Sequence, residues 1–253
     1  MQHIRRLTGL ALAVGLAACT DSPANLPTAS GVELRALGAK NGAAVTAGVA
    51  PRASRPYGRT YEAWGGAMLQ WLAAIPTTSN PYIDETGAIT QAQESGRVWF
   101  LPGPSFAVSQ PQELALTIPA GTAIFFAPFG SYGSGPGGVP GDGDDTPEEL
   151  LQGTEDLLSL ISDVQVSIDG VGVADVDQYR VVSAAVELVA PEDNIWTDLY
   201  GEPTPFTFGV FGGYGLFLDP LPPGEHTLHA AVSIPQMGVT FDMTYHITVQ
   251  GKR

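Results

Sequence analysis

From Val239 to Gln250 the chain alternates apolar and polar side chains. Val239, Phe241, Met243, Tyr245, Ile247 and Val249 take one face, and Thr240, Asp242, Thr244, His246, Thr248 and Gln250 the other. A period of two with one apolar face is the pattern of a half-buried strand. From Glu225 to Ile234 the same period recurs, with His226, Leu228, Ala230, Val232 and Ile234 on the more apolar face. The intervening Pro235-Gln236-Met237-Gly238 predicts a hairpin turn. A hairpin centred on Gln236-Met237 sets His229 opposite Thr244 and Thr227 opposite His246.

Phe206 to Leu218 carries large side chains at its even positions, while Gly209, Gly213 and Gly215 fall on the odd face. Bare backbone on one face predicts a sharp bend or the close approach of another group. Val164, Val166 and Ile168 alternate up to Asp169-Gly170, a hairpin signal. Arg97 to Leu101, Glu113 to Ile118 and Thr122 to Ala127 are short strand candidates bounded by Gly or Pro, and Asp177 to Val189 reads as a longer mixed strand.

Two segments carry the helical period. Trp64, Met68, Trp71 and Ile75 form one stripe within Thr60 to Ala74, with Thr60 as N-cap. Gly65-Gly66 costs that helix about 2 kcal/mol of propensity, which predicts tight packing against another backbone. The second helix opens at Thr146-Pro147-Glu148-Glu149, where Thr146 and Glu149 make a capping box and Pro147 takes the first helical position. Together the elements predict a mainly β fold. It is an antiparallel β-sandwich, Ig-like or jelly-roll in style, with an N-terminal helix and one inserted acidic helix. No internal repeat stands out.

The N-terminus changes the picture. Arg5-Arg6 precede an apolar run from Leu7 to Leu16, too short for a permanent span and suited to a secretory signal. Leu16-Ala17-Ala18-Cys19 resembles the lipobox of bacterial lipoproteins, and Cys19 is the chain's single cysteine. The resemblance implies cleavage after residue 18 and lipidation of Cys19. Thr20 replaces the Asp of the inner-membrane retention signal, so a host with two membranes implies the outer one. Residues 19–56 are rich in Ala, Gly, Pro, Ser and Thr and read as a flexible tether, leaving 57–253 as the β-sandwich domain.

Charge sharpens the partner classes. The chain holds 26 acidic and 11 basic residues, a formal net charge of −15. Residues 20–97 balance six acids with six bases, whereas residues 98–251 carry twenty acids and one base, Arg180. Such a domain repels nucleic acid, whose affinity comes from Lys and Arg, and attracts cations. Arg180 is a candidate for an anionic ligand group or for an ordinary salt bridge. Asp142, Asp144 and Asp145 in the Gly-rich stretch are candidate Ca²⁺ ligands, although the EF-hand pattern does not continue beyond them. Ca²⁺ is the cofactor that these acids suggest.

Other chemistry is sparse. His229 and His246 become diagonal neighbours on the polar face of the hairpin, a candidate binding or Zn²⁺/Cu²⁺ pair, although two imidazoles make an incomplete set. Asp84-Glu85 could supply a glycosidase-type acid or simply a turn. Trp64 and Trp71 could stack sugars or pack the core. No nucleophile elbow, phosphate-binding loop or dinucleotide fingerprint is present.

Two stretches resemble a family of uncharacterised secreted bacterial and archaeal proteins. One comprises Trp71, Pro76, Asn80-Pro81, Asp84, Gly87, Gln93, Gly96 and Val98-Trp99-Phe100-Leu101, ending at Ile118-Pro119-Ala120-Gly121. The other is Leu221-Pro-Pro-Gly-Glu-His226 with Thr244-Tyr245-His246-Ile247. Members of that family often carry a cysteine pair that this chain lacks, and the resemblance implies no activity. The leading expectation is a lipid-anchored cell-envelope protein acting as a non-enzymatic binding or structural module, with a glycan or envelope protein as partner. A carboxylate-dependent envelope hydrolase or carbohydrate-active enzyme is the first alternative. A calcium-dependent adhesion or assembly module is the second.

Overall fold

Alternation at the C-terminus becomes the hairpin it predicts. In the computed structural model, which describes residues 48–93, 96–105, 108, 110–135, 146–200 and 207–251, the elements run in chain order as follows. Helix α1 (Tyr61–Ala73) precedes the short helix α2 (Ala88–Gln91) and strands β1 (Val98–Leu101), β2 (Gln112–Pro119) and β3 (Ala123–Gly135). Helix α3 (Pro147–Ser159) leads into β4 (Asp163–Ile168), β5 (Val171–Gly172), β6 (Arg180–Val182) and β7 (Val186–Glu187). Helix α4 (Ile195–Tyr200) then precedes β8 (Phe208–Leu218), β9 (Gly224–Ile234) and β10 (Val239–Gln250). These elements belong to one unit, Ala43–Arg253.

The fold is mainly β, two five-stranded sheets in a sandwich-like arrangement. The first sheet runs β1-β3-β8-β6 with β7 also on β8, and the second runs β2-β10-β9-β4-β5. His229 lies opposite Thr244 and His246 opposite Thr227, the register that the turn predicts. Neither sheet is purely antiparallel: β1 pairs with β3, and β2 with β10, in parallel. Alternation reports which face a residue takes and is blind to strand direction. Direction depends on the connections, and here β2 joins the second sheet although β1 and β3 on either side of it share the first.

Strand β8 is the axis of the molecule. Phe211 approaches Gly65 of α1, while its neighbour Gly212 approaches Thr154 of α3. Adjacent strand residues face opposite ways, so the two helices cover opposite faces of the first sheet. The α1 face holds an aromatic cluster in which Trp64 lies 5.3 Å from Phe217 and 6.5 Å from Phe125, between ring centres. The other face packs on the second sheet, where Phe126 meets Tyr245 edge-on at 6.0 Å. Beyond that contact, Phe129, Leu158, Val232, Ile234 and Phe241 form a smaller cluster beneath α3.

Both helix starts are as expected. Thr60 accepts the Ala63 N–H, and Thr146 and Glu149 form the reciprocal capping box. The Gly65-Gly66 pair fits beneath side chains, the Phe211 ring and Val186, and not against bare backbone. The single strand expected from Asp177 to Val189 is instead a 3-10 turn (Val176–Tyr179) followed by β6 and β7. Composition places residues 48–56 in the tether, yet Val49 and Ala50 are buried and Val49 bridges to Leu218.

Candidate functional site

A groove opens where the end of α1, α2 and β1 meet. Its cavity of about 440 Å³ is lined by Trp71, Ile75, Ser79, Pro81, Ile89, Ala92, Gln93, Val98 and Phe100. Seven of these nine are apolar, two carry uncharged polar groups, and none is ionisable.

Buried polar residues build the walls. Asn80 is fully buried, donating its amide to the carbonyls of Leu72 (2.9 Å) and Ile75 (3.1 Å) and accepting the Tyr82 N–H. It thereby adds a donor to the Leu72 carbonyl, which also accepts the Ile75 N–H at 3.3 Å, and to the Ile75 carbonyl just past the helix end. Asp84, 2 % exposed, accepts the backbone N–H groups of Thr86 (3.0 Å), Gly87 (2.9 Å) and Thr90 (2.6 Å). Burial alone pushes this carboxyl up, but the donated hydrogen bonds win and hold it below its ordinary value. A general acid needs the opposite displacement, so Asp84 is the turn-forming residue of the two readings. Gly87 stands at φ +87°, and a Cβ there would meet the Ala115 carbonyl at 2.5 Å, so only glycine lets this turn lie on β2.

Two glutamines then close the sheet edges. Gln91 accepts the Thr117 N–H (2.5 Å) and donates to the Thr117 carbonyl (2.9 Å) on β2, an edge of the second sheet. Gln93 does the same to Phe100 on β1, an edge of the first, at 3.1 and 2.9 Å. Each amide imitates the peptide group of a missing neighbour strand. Helix α2, only four residues long, and the residues just after it thus fasten both sheets beside the groove.

The other predicted residues lie elsewhere. Trp64 and Trp99 are buried core residues, and Trp71, half-buried, lines the groove. Arg180 pairs with Glu155 of α3. His229 sits 3.1 Å from Asp242, and His246 sits 3.7 Å from Glu113, all on the outer face of the second sheet. Among the described residues no group of three or more His, Cys, Asp or Glu converges as a metal site. Cys19, Asp142, Asp144 and Asp145 lie outside the described residues.

His226 is tied in most fully. One ring nitrogen lies 2.8 Å from the Asp169 carboxylate and the other 2.9 Å from the Pro222 carbonyl. Burial pushes the imidazole down, but the bonds to Asp169 and Pro222 win and raise it above its ordinary value. Two acceptors facing both nitrogens favour the doubly protonated ring. Asp169, in turn, is held low by His226 and the Thr227 N–H against its own desolvation.

No protein family, curated protein or solved structure matches the chain. Of the first motif stretch, Trp71, Pro81, Gln93, Val98 and Phe100 line the groove and Asn80, Asp84 and Gly87 support it. Sequence reading missed Gln91 and Ile89. Their signal is a pair of glutamines spaced by two, just after a glycine-led turn and just before a strand.

Proposed function

We propose that the protein is a lipid-anchored cell-envelope protein whose β-sandwich is a non-enzymatic binding module, with the groove beside α2 as its ligand site. The observation that carries this reading is the lining: a half-buried tryptophan and six other apolar residues with a hydroxyl and an amide, and no titratable group. Such a surface suits an apolar or aromatic portion of a ligand, and its lining among the described residues offers no acid or base for hydrolysis. Asp84, three residues beyond Pro81 of the lining, is consumed by backbone donors. Attachment through Cys19 rests on the lipobox resemblance and puts the module at the outer membrane if the host has two.

Two measurements test the proposal. Expression with a labelled fatty acid should give an acylated chain, and Cys19→Ser should abolish incorporation; mass spectrometry of an intact residue-1 start would overturn the anchor. A glycan panel and an envelope pull-down should each be run with the parent and Trp71→Ala. Removing an aromatic anchor from a binding groove weakens binding by about 2 kcal/mol, roughly thirtyfold. Retention that ignores Trp71, or release of hydrolysis products from the panel, would sink the groove as a non-enzymatic site.

A further inference from the structure

Arg52, Arg55, Arg59 and Arg97 are four of the five basic residues in the described chain, and they gather where the chain enters the domain. The Arg97 guanidinium lies 4.6 Å from the centre of the Tyr57 ring, Arg59 5.1 Å from Trp64 and Arg52 5.2 Å from Tyr61. Tyr57 and Trp64 both touch Phe217, whose carbonyl accepts the Ala50 N–H at 2.7 Å. Residues 48–50 and the arginines thus share one pole.

Among the described residues that pole carries more positive than negative charge. Arg52 pairs with Glu62, and Asp219 is held nearby through its N–H to the Gly48 carbonyl. Arg55, Arg59 and Arg97 are exposed, and none has an ion-pair partner among the described residues. Tyr57 is 43 % exposed and held at φ +50°, a region that tyrosine rarely adopts. The pole therefore joins three exposed guanidinium groups without an ion-pair partner among the described residues to an amphipathic ring, in a chain of net charge −15.

We infer that this pole docks on anionic lipid headgroups of the membrane that holds the chain, an inference that rests on the lipid-anchor reading. Three features favour a bilayer over a soluble anion. The segment that leads back to Cys19 departs from this same pole, and the tether reading gives the 30 residues from Cys19 to Gly48 a reach of about 30 Å. Arginine forks match phosphate oxygens, and a tyrosine ring suits the headgroup level. The acidic residues Glu113, Glu225 and Asp242 sit on the second sheet, while Tyr57 and Trp64 pack on the opposite side of the first sheet. That separation exceeds the Debye length of about 8 Å at physiological salt, so the acidic face does not cancel the pole.

The test uses the full chain carrying Cys19→Ser, which has no acyl group, with vesicles of phosphatidylcholine alone or with phosphatidylglycerol added. Sedimentation should show stronger partitioning to the phosphatidylglycerol vesicles, removed by high salt. Each arginine near an anionic surface contributes about 1 kcal/mol, so R55Q/R59Q/R97Q should lower that partitioning on the order of a hundredfold, and the triple lysine variant should retain most of it. Equal partitioning to both vesicle types overturns the inference, as does a salt-insensitive preference. Displacement by millimolar free phosphate, or self-association that competes with vesicle binding, also overturns it. The single variants R55Q, R59Q and R97Q, each expected to lower the partitioning about fivefold, decide the matter if the triple variant misfolds, and unchanged partitioning in all three overturns the inference. Because no acyl group is involved, failure here leaves the anchor to its own labelling assay.

Discussion

Asp84 and His226 carry opposite lessons about single ionisable residues. Asp84 reads in sequence as a candidate acid, and its neighbours turn it into a fixed acceptor for three backbone N–H groups. Asp84→Ala strands those buried donors and should destabilise the domain by about 3 kcal/mol in urea unfolding. Its folded pKa is depressed, so its contribution is present above its ordinary value and disappears as pH falls through the folded value. Asp84→Asn should therefore flatten the acid limb of a stability–pH curve; an unchanged limb would contradict the assignment. His226 runs the other way. Its folded pKa is raised, so its contribution is complete below its ordinary value and is lost as pH rises through the folded one. The parent should lose stability relative to His226→Gln as pH rises above the ordinary imidazole value of about 6.5. The difference should stay at about 1 kcal/mol or less, since Asp169 is nearly half exposed to screening solvent.

Elements meet through a few tight contacts. At Gly212 an added Cβ would stand 1.9 Å from Thr154 Cγ2, backed by Leu158 at 3.5 Å. Gly212→Ala should therefore push α3 off β8 and cost about 1–3 kcal/mol. Thr154→Ser removes the clashing methyl, so the double variant should recover most of the loss in a double-mutant cycle. On the opposite side of the molecule, Gln93→Ala frees the Phe100 amide and carbonyl of an edge strand. Hydrogen exchange at Phe100 should accelerate while the centre of β8 keeps its protection; uniform acceleration would mean that Gln93 supports the whole fold. The C-terminal hairpin was legible because a turn and two alternating strands leave one register that buries Leu228, Ala230 and Tyr245 together. Strand directions were not legible, because β1 and β2 sit in different sheets and only the packed molecule says which neighbour each finds.

At the scale of the molecule, charge and groove are both products of folding. The sequence places twenty acids and Arg180 between residues 98 and 251, which predicts self-repulsion. Moving from 10 mM to 500 mM NaCl should raise the melting temperature as screening relieves it, and a fall would show that local ion pairs outweigh the net field. Read alone, the chain determined the sandwich, the helix caps and the hairpin register, and it carries the lipobox resemblance on which the proposed attachment at Cys19 rests. Those depend on local periodicity, on cap and turn chemistry, or on a contiguous motif. Tertiary structure decided which polar residues remain available. It spent Asp84 and Asn80 on backbone groups, used Gln91 and Gln93 to close sheet edges, and set Arg180 against Glu155. It also brought Trp71, Ile89 and Phe100 into one groove and three arginines to one pole. The reason is physical: a polar group's role depends on the partners that burial supplies, and those partners come from segments whose meeting no local pattern encodes.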